Sequence, residues 1–160
     1  METIVYKPIG IIRTPFEKPE GIPIQPSGAE GIRGTIDLHP ELTEGLQDLT
    51  GFSHIILIYH MHLASGPCLS VKPFLDEASH GLFATRAPAR PNPIGLSVVG
   101  LERIERNRLY IVNVDMVDGT PLLDIKPFVP DFDPGTDIRI GWLQDKVTRA
   151  RSKKSDRRFQ

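Results

Sequence analysis

Fifteen prolines are spread through 160 residues, and they keep every apolar run short. Proline has no amide hydrogen and its ring clashes inside a helix, so a chain this rich in it is not assembled from long helices. Short apolar runs broken by proline and glycine read instead as strands joined by tight turns. The longest run, "IILIY" at 55–59, suits a buried strand and is far too short to span a bilayer.

Strand patterns fall at 3–16, 32–39, 51–64, 81–86, 95–105, 108–117, 120–128 and 137–142. Pro8 holds the first to an edge or a bulge. The fifth and sixth flank "RN" as a hairpin. Asp118-Gly119 predicts a second hairpin turn, with positive φ at both central positions. Residues 40–50, "PELTEGLQDLT", read as a short helix with Pro40 in its first turn. "WLQDKVTRAR" starts a last one. Eight or nine strands with so little helix predict a mainly β fold, a single closed or nearly closed barrel with short helices. One domain of ordinary size fits the length.

Charge is uneven. Net charge is −1, yet residues 146–160 carry seven basic side chains against Asp156 alone. The reading is a barrel domain over 1–143 and a basic tail or short helix over 144–160. Such a tail is a footprint of polyanion contact, or a solvated terminus. Cys68 is the one cysteine, so no internal disulfide forms and a reducing compartment is expected. The N-terminus has no signal-peptide pattern, and a cytoplasmic protein is expected.

Several chemistries lack their signatures. No G-x-G-x-x-G opens a helix, no phosphate-binding loop is present, and no cysteine pair offers itself to zinc. His60 and His62 lie two apart and share a strand face, which suits either a polar cavity wall or two ligands of a metal. "RAPARPNPIG" (86–95) is richer. Its prolines fix their own φ and push Ala87, Arg90 and Asn92 to extended conformations. On that stiff frame Arg86 and Arg90 offer guanidinium forks for carboxylate or phosphate, and Asn92 an amide able to read an adenine edge. Gly95 allows a close approach. In "DGTPLLDIKPF" (118–128), Leu122, Asp124 and Lys126 are expected on one face, with Leu123 and Ile125 toward the core. Asp124 and Lys126 there form a shared ligand site or a solvent-facing ion pair.

"GLFATRAPARPNPIGLSVV" followed by "DMVDGTPLLDIKPFVP" resembles the TsaA-like (TrmO) family of S-adenosylmethionine-dependent transfer-RNA methyltransferases. "IGIIRTPF", "GIPIQPSG" and "GFSHIILIYHMH" match the family's start, proline-glutamine loop and central strand. The resemblance implies a dimeric β-barrel that methylates the exocyclic amine of threonylcarbamoyl-adenosine beside the anticodon of transfer RNA. It implies a cofactor site at Pro23, Ile24, Gln25, His60, Met61, Arg86, Leu96, Asp118, Gly119, Thr120 and Pro121, with no metal. Ile24 stands where many members have arginine. Asn92 and Asp124 are the candidates for positioning the target amine, and Arg90 and Lys126 for gripping the target's carboxylate or phosphate. Removing the tail is expected to spare cofactor affinity. A non-catalytic RNA-binding barrel and a cupin-like histidine-metal barrel are the other readings.

Overall fold

The computed structural model describes residues 2–132 and 138–159. Six antiparallel strands close into a barrel: β1 (Gly10–Arg13), β2 (Arg33–Leu38), β3 (His54–His60), β6 (Ile94–Glu105), β7 (Arg108–Val112) and β8 (Thr120–Pro127), in the order β1-β2-β7-β6-β3-β8. Two short strands, β4 (Ser70–Val71) and β5 (His80–Gly81), pair outside it. All the described helical segments are 3-10 turns.

Alternation fills the interior. β3 turns Ile55, Leu57 and Tyr59 inward and leaves His54 and His60 exposed. Ile12, Ile36, Val99, Leu109, Ile111 and Leu122 complete a fully buried core. The first strand closes the barrel against the last, Gly10 opposite Leu122 and Ile12 opposite Thr120. The mainly β, closed-barrel expectation is met, with fewer strands in the barrel than the strand count suggested.

Several local readings differ from the structure. The first strand begins at Gly10 rather than residue 3. Backbone pairing continues through Ile9, whose N–H donates to Leu122 at 2.8 Å, and ends at Pro8, which has no N–H to give. Residues 81–86 hold only the end of a two-residue strand, His80–Gly81, which runs into a 3-10 turn, Leu82–Ala84. Residues 40–50 form two 3-10 turns, Pro40–Leu46 and Leu49–Gly51. Asp118-Gly119 does turn the chain, but β7 and β8 are not neighbours. Gly119 has φ 77° and Asp118 is not left-handed, so the turn leads into the closing strand instead of a hairpin. "DIRIGW" begins at residue 137, outside the described residues; among the described residues from 138 onward no strand forms, and Gly141–Leu143 is a 3-10 turn.

The β3–β8 pairing carries a bulge, with Ile58 opposite Asp124 and Tyr59 opposite Leu122. Leu123 is the extra residue, and one extra residue flips the faces beyond it. Leu122 and Ile125 therefore both reach the core, where a regular strand would have parted them. Asp124 and Lys126 remain outside as a 2.7 Å ion pair, about half exposed.

Candidate functional site

A cavity of about 430 Å³ opens at one end of the barrel, within the range of small-molecule sites. The end of β3 contributes Tyr59 and, just beyond it, Met61 and His62. The start of β6 contributes Ile94, Gly95 and Leu96. Loops add Ile22–Gln25, Thr85–Arg90 and Asp115–Val117, and β8 adds Thr120. Loop residues dominate because the barrel interior is already filled by side chains. Arg86 Nη1 donates to Gln25 Oε1 at 3.0 Å, joining the proline-rich segment to the proline-glutamine loop. Arg90 also lines the cavity, but its Nη1 donates to the Thr85 and Ala87 carbonyls at 3.0 and 3.3 Å. It braces its own turn.

The remaining wall comes from the tail. Ser155 N–H donates to Ile22 O at 2.8 Å, Gly21 N–H donates to Ser155 O at 2.9 Å, and Lys154 bridges Pro23. Ser155 Oγ accepts from Ile22 N–H at 2.9 Å and donates to Pro19 O. Phe159 packs edge-on to Phe74, centroids 5.1 Å apart, and with Asp156 lines the cavity. Lys146, Arg157 and Arg158 pair with Asp76, Glu20 and Asp156. The tail is thus a strap. Its surface ion pairs contribute little; its backbone pairing and Phe159 hold it down. Upstream, Trp142 stacks on His80 at 4.3 Å and donates Nε1–H to Ala84 O at 2.8 Å. Lys146 and then His80 hold the Asp76 carboxyl well below its usual range.

One buried polar chain ends at the cavity. Ser97 Oγ donates to Asp115 Oδ1 at 2.7 Å and lies 3.0 Å from Tyr59 Oη. Serine has one hydroxyl proton, so the tyrosine donates to the serine and the serine to the carboxylate. Burial lifts the Asp115 carboxyl to about 6, the Ser97 hydrogen bond opposing it. Burial, and then the Asp115 charge, raise the Tyr59 phenol. Partial burial, and then His60, lower His62 below the usual histidine range.

Of the residues expected at a cofactor site, the cavity gathers Pro23, Ile24, Gln25, Met61, Arg86, Leu96 and Thr120. His60, Asp118, Gly119 and Pro121 are not among its walls, nor are Asn92, Asp124 and Lys126. His60 points out from the barrel, and Asn92 is exposed. Asp118 accepts from the Thr14 N–H at 3.0 Å and lies 3.5 Å from Arg13 Nη1. That bond anchors the turn before β8. Asp118→Ala is expected to cost about 1 kcal/mol of stability, read as a lower denaturant midpoint.

The sequence profile of the tRNA-methyltransferase O N-terminal domain matches residues 11–134. The chain belongs to this family. It is 55% identical over 156 residues to a Pyrococcus abyssi protein named "Probable S-adenosyl-L-methionine-binding protein", covering 98% of this chain and 85% of that one. It is 34% identical to a mouse tRNA (adenine(37)-N6)-methyltransferase over 86% of this chain and 33% of that protein. The crystal structure of TrmO from Pseudomonas aeruginosa superposes with a TM-score of 0.74 at 43% identity, over 88% of this chain and 63% of the other. The chain thus spans less than two thirds of that TrmO.

Within this TrmO-type barrel, sequence reasoning missed Tyr59, Ser97, Asp115 and the strap residues Ser155, Asp156 and Phe159. Asp115 had one available signal. It interrupts the apolar alternation of "IVNVDMV" between Val114 and Met116, both buried. An acid there needs a partner inside, and Ser97 is that partner.

Proposed function

We propose that this chain is an S-adenosylmethionine-dependent methyltransferase acting on transfer RNA. Its target is the exocyclic N6 of the adenosine next to the anticodon, in its threonylcarbamoyl form. The observation that carries this reading is the cavity itself. In a barrel of the tRNA-methyltransferase O family, it sets an apolar wall beside an arginine and half-buried carboxylates.

The walls fit that cofactor. Ile24, Met61 and Leu96 offer apolar faces to an adenine. Arg86 offers a fork to a carboxylate, and Asp156 an acceptor to an ammonium or ribose hydroxyls. When bound, the cofactor supplies an electrophilic methyl group on sulfur. The chain's own work is to hold the target nitrogen in line with that methyl group, and proximity of this kind is worth several kcal/mol. The cavity walls exclude water from it. The stiff 86–95 segment sets Arg86 toward the cavity, while its Asn92 stays at the exposed rim to meet RNA. Arg90 from the cavity wall, and Asp124 and Lys126 from outside it, grip or position the RNA.

Residues 1–143 act as the barrel unit and 144–160 as its appended tail. The working form is a cytoplasmic homodimer. Support for the dimer comes from Leu63, Ile94 and Leu96, apolar side chains 48%, 44% and 52% exposed around the mouth of the cavity. Light scattering at micromolar concentration checks it, a monomer counting against it.

Calorimetric titration with S-adenosylmethionine, followed by transfer of a tritiated methyl group to tRNA, tests the activity. Arg86→Ala is expected to weaken cofactor binding about tenfold or more, because hydrogen bonds to charged groups are worth about 1.5–3 kcal/mol. RNA binding with no cofactor heat would leave a non-catalytic RNA-binding barrel. Among the described residues no group of three histidine, cysteine or acidic side chains is placed to hold a metal.

A further inference from the structure

Asp115 is a carboxylate that the cofactor-site residues above do not require, and the fold invests in it. Its loop follows β7 and aims it at the cavity wall. Its partner at 2.7 Å is a serine rather than a cation. Ser97 is 1% exposed and Tyr59 is 8% exposed, so water does not compete for either hydroxyl. Every buried side-chain polar atom among the described residues has a partner. Oδ1 accepts from Ser97, and the half-buried residue lines the cavity.

Resting on the methyltransferase reading, we propose that Asp115 is the general base of the reaction, held in place through Ser97 by Tyr59. The nitrogen of a nucleobase amine, or of its carbamoylated form, shares its lone pair with the ring and the carbonyl. It attacks well only as its proton departs. In the step assigned here, the nitrogen lone pair forms a bond to the methyl carbon. The carbon–sulfur bond breaks and its electron pair stays on sulfur. The N–H proton passes to the Asp115 carboxylate, and its bonding pair remains on nitrogen. Product departure then lets the carboxyl group return the proton to water. One proton and one methyl group move, and no oxidant or further reactant is needed.

The groups facing Asp115 make this arrangement workable. Tyr59 from β3 and Ser97 from β6 supply neutral donors, and Arg86 from the proline-rich segment supplies a cation that opposes the effect of burial. His62, another cavity residue, is lowered by partial burial and then by His60, which favours its neutral form. A carboxyl titrating close to 6 is ionised at neutral pH and still basic enough to take a proton. A surface aspartate near 4 would be a weaker base.

Two variants and three readouts test the assignment. In the ligand-free wild-type protein, the ¹³C carboxyl resonance of Asp115 is expected to titrate near pH 6. Methyl transfer to tRNA isolated with its threonylcarbamoyl-adenosine should fall on the acid side with the same midpoint. Asp115→Asn should lower the maximal rate about a hundredfold or more, erase that acid limb, and leave the calorimetric affinity for S-adenosylmethionine within about threefold. Ser97→Ala removes the bond that lowers the carboxyl's pKa. Both the resonance midpoint and the acid limb should therefore move to higher pH, with a smaller loss of rate. If Asp115→Asn does not fold, the Ser97→Ala shifts decide the question alone. A persisting acid limb in Asp115→Asn, unmoved midpoints in Ser97→Ala, or cofactor affinity falling as far as rate overturns the assignment. Failure of the wild-type protein to transfer any methyl group to tRNA overturns the methyltransferase reading instead.

Discussion

A chain ending at Arg149 is expected to bind S-adenosylmethionine about a hundredfold more weakly than the full chain, while its far-ultraviolet circular dichroism keeps the barrel's signature. Phe159 and Asp156 would be missing from the cavity wall. The loop that carries Pro23, Ile24 and Gln25 would also lose its tie to Lys154 and Ser155. Burying one large apolar side chain is worth about 1.5–3 kcal/mol, and each 1.4 kcal/mol is a factor of about ten. Loosening the loop adds to that. The barrel survives because none of its strand pairings involves residues beyond 127. Calorimetry on the two lengths checks this. Equal affinity would mean that the strap covers the cavity without contributing to it, as expected of a solvated polycation.

Gly95→Ala is expected to lower stability by about 3 kcal/mol, the upper part of the range for overpacking, and the melting temperature by roughly 10 °C. A Cβ at this position would lie 2.2 Å from Cε2 of Tyr59 and 2.4 Å from its Cζ. The glycine sits directly opposite the tyrosine across the β3–β6 ladder, so the ring lies flat over bare backbone. It has nowhere to retreat, because it is buried and its hydroxyl is held by Ser97. Displacing the ring would also break the hydrogen-bonded chain to Asp115. Adding Tyr59→Leu to Gly95→Ala should recover part of the stability, since a smaller side chain vacates the clash. A melting temperature unchanged by Gly95→Ala would contradict the β3–β6 register.

The glycine was legible as a close-approach position, but its occupant was not. The pattern around Gly95 showed only that something must come near. That it is a tyrosine thirty-six residues earlier follows from barrel register. Strands with clear alternation, "IRGTIDLH" and "IILIY", read correctly because burial follows their two-residue period. Asp118-Gly119 misled because a left-handed glycine serves any sharp turn, while which strands become neighbours depends on how the barrel closes. The bulge at Leu123 was invisible for a related reason: it exists only in the pairing with β3. The tail misled more. Its charge described its side chains, but its place is set by backbone hydrogen bonds to Gly21, Ile22 and Ile24, which composition does not report. Asp115 and Ser97, eighteen residues apart, meet because one lies in the loop between β7 and β8 and the other faces inward on a strand.

The closure of β1 on β8 and the strap's return to residues 19–24 also set an order for synthesis. Residues near the start must wait, unpaired on one side, until the chain has reached residue 122. They wait again for residues 153–155. At about 5–20 residues per second, several seconds separate the first strand from its last partner. During that time β1 presents an open edge, with Ile11 and Ile12 ready to pair with whatever strand is near. A nascent chain gains nothing from cofactor in this interval, since the cavity lacks its last wall. The ligand can therefore stabilise the finished protein without helping it fold, and yield in the cell will depend on how long that edge stays uncovered.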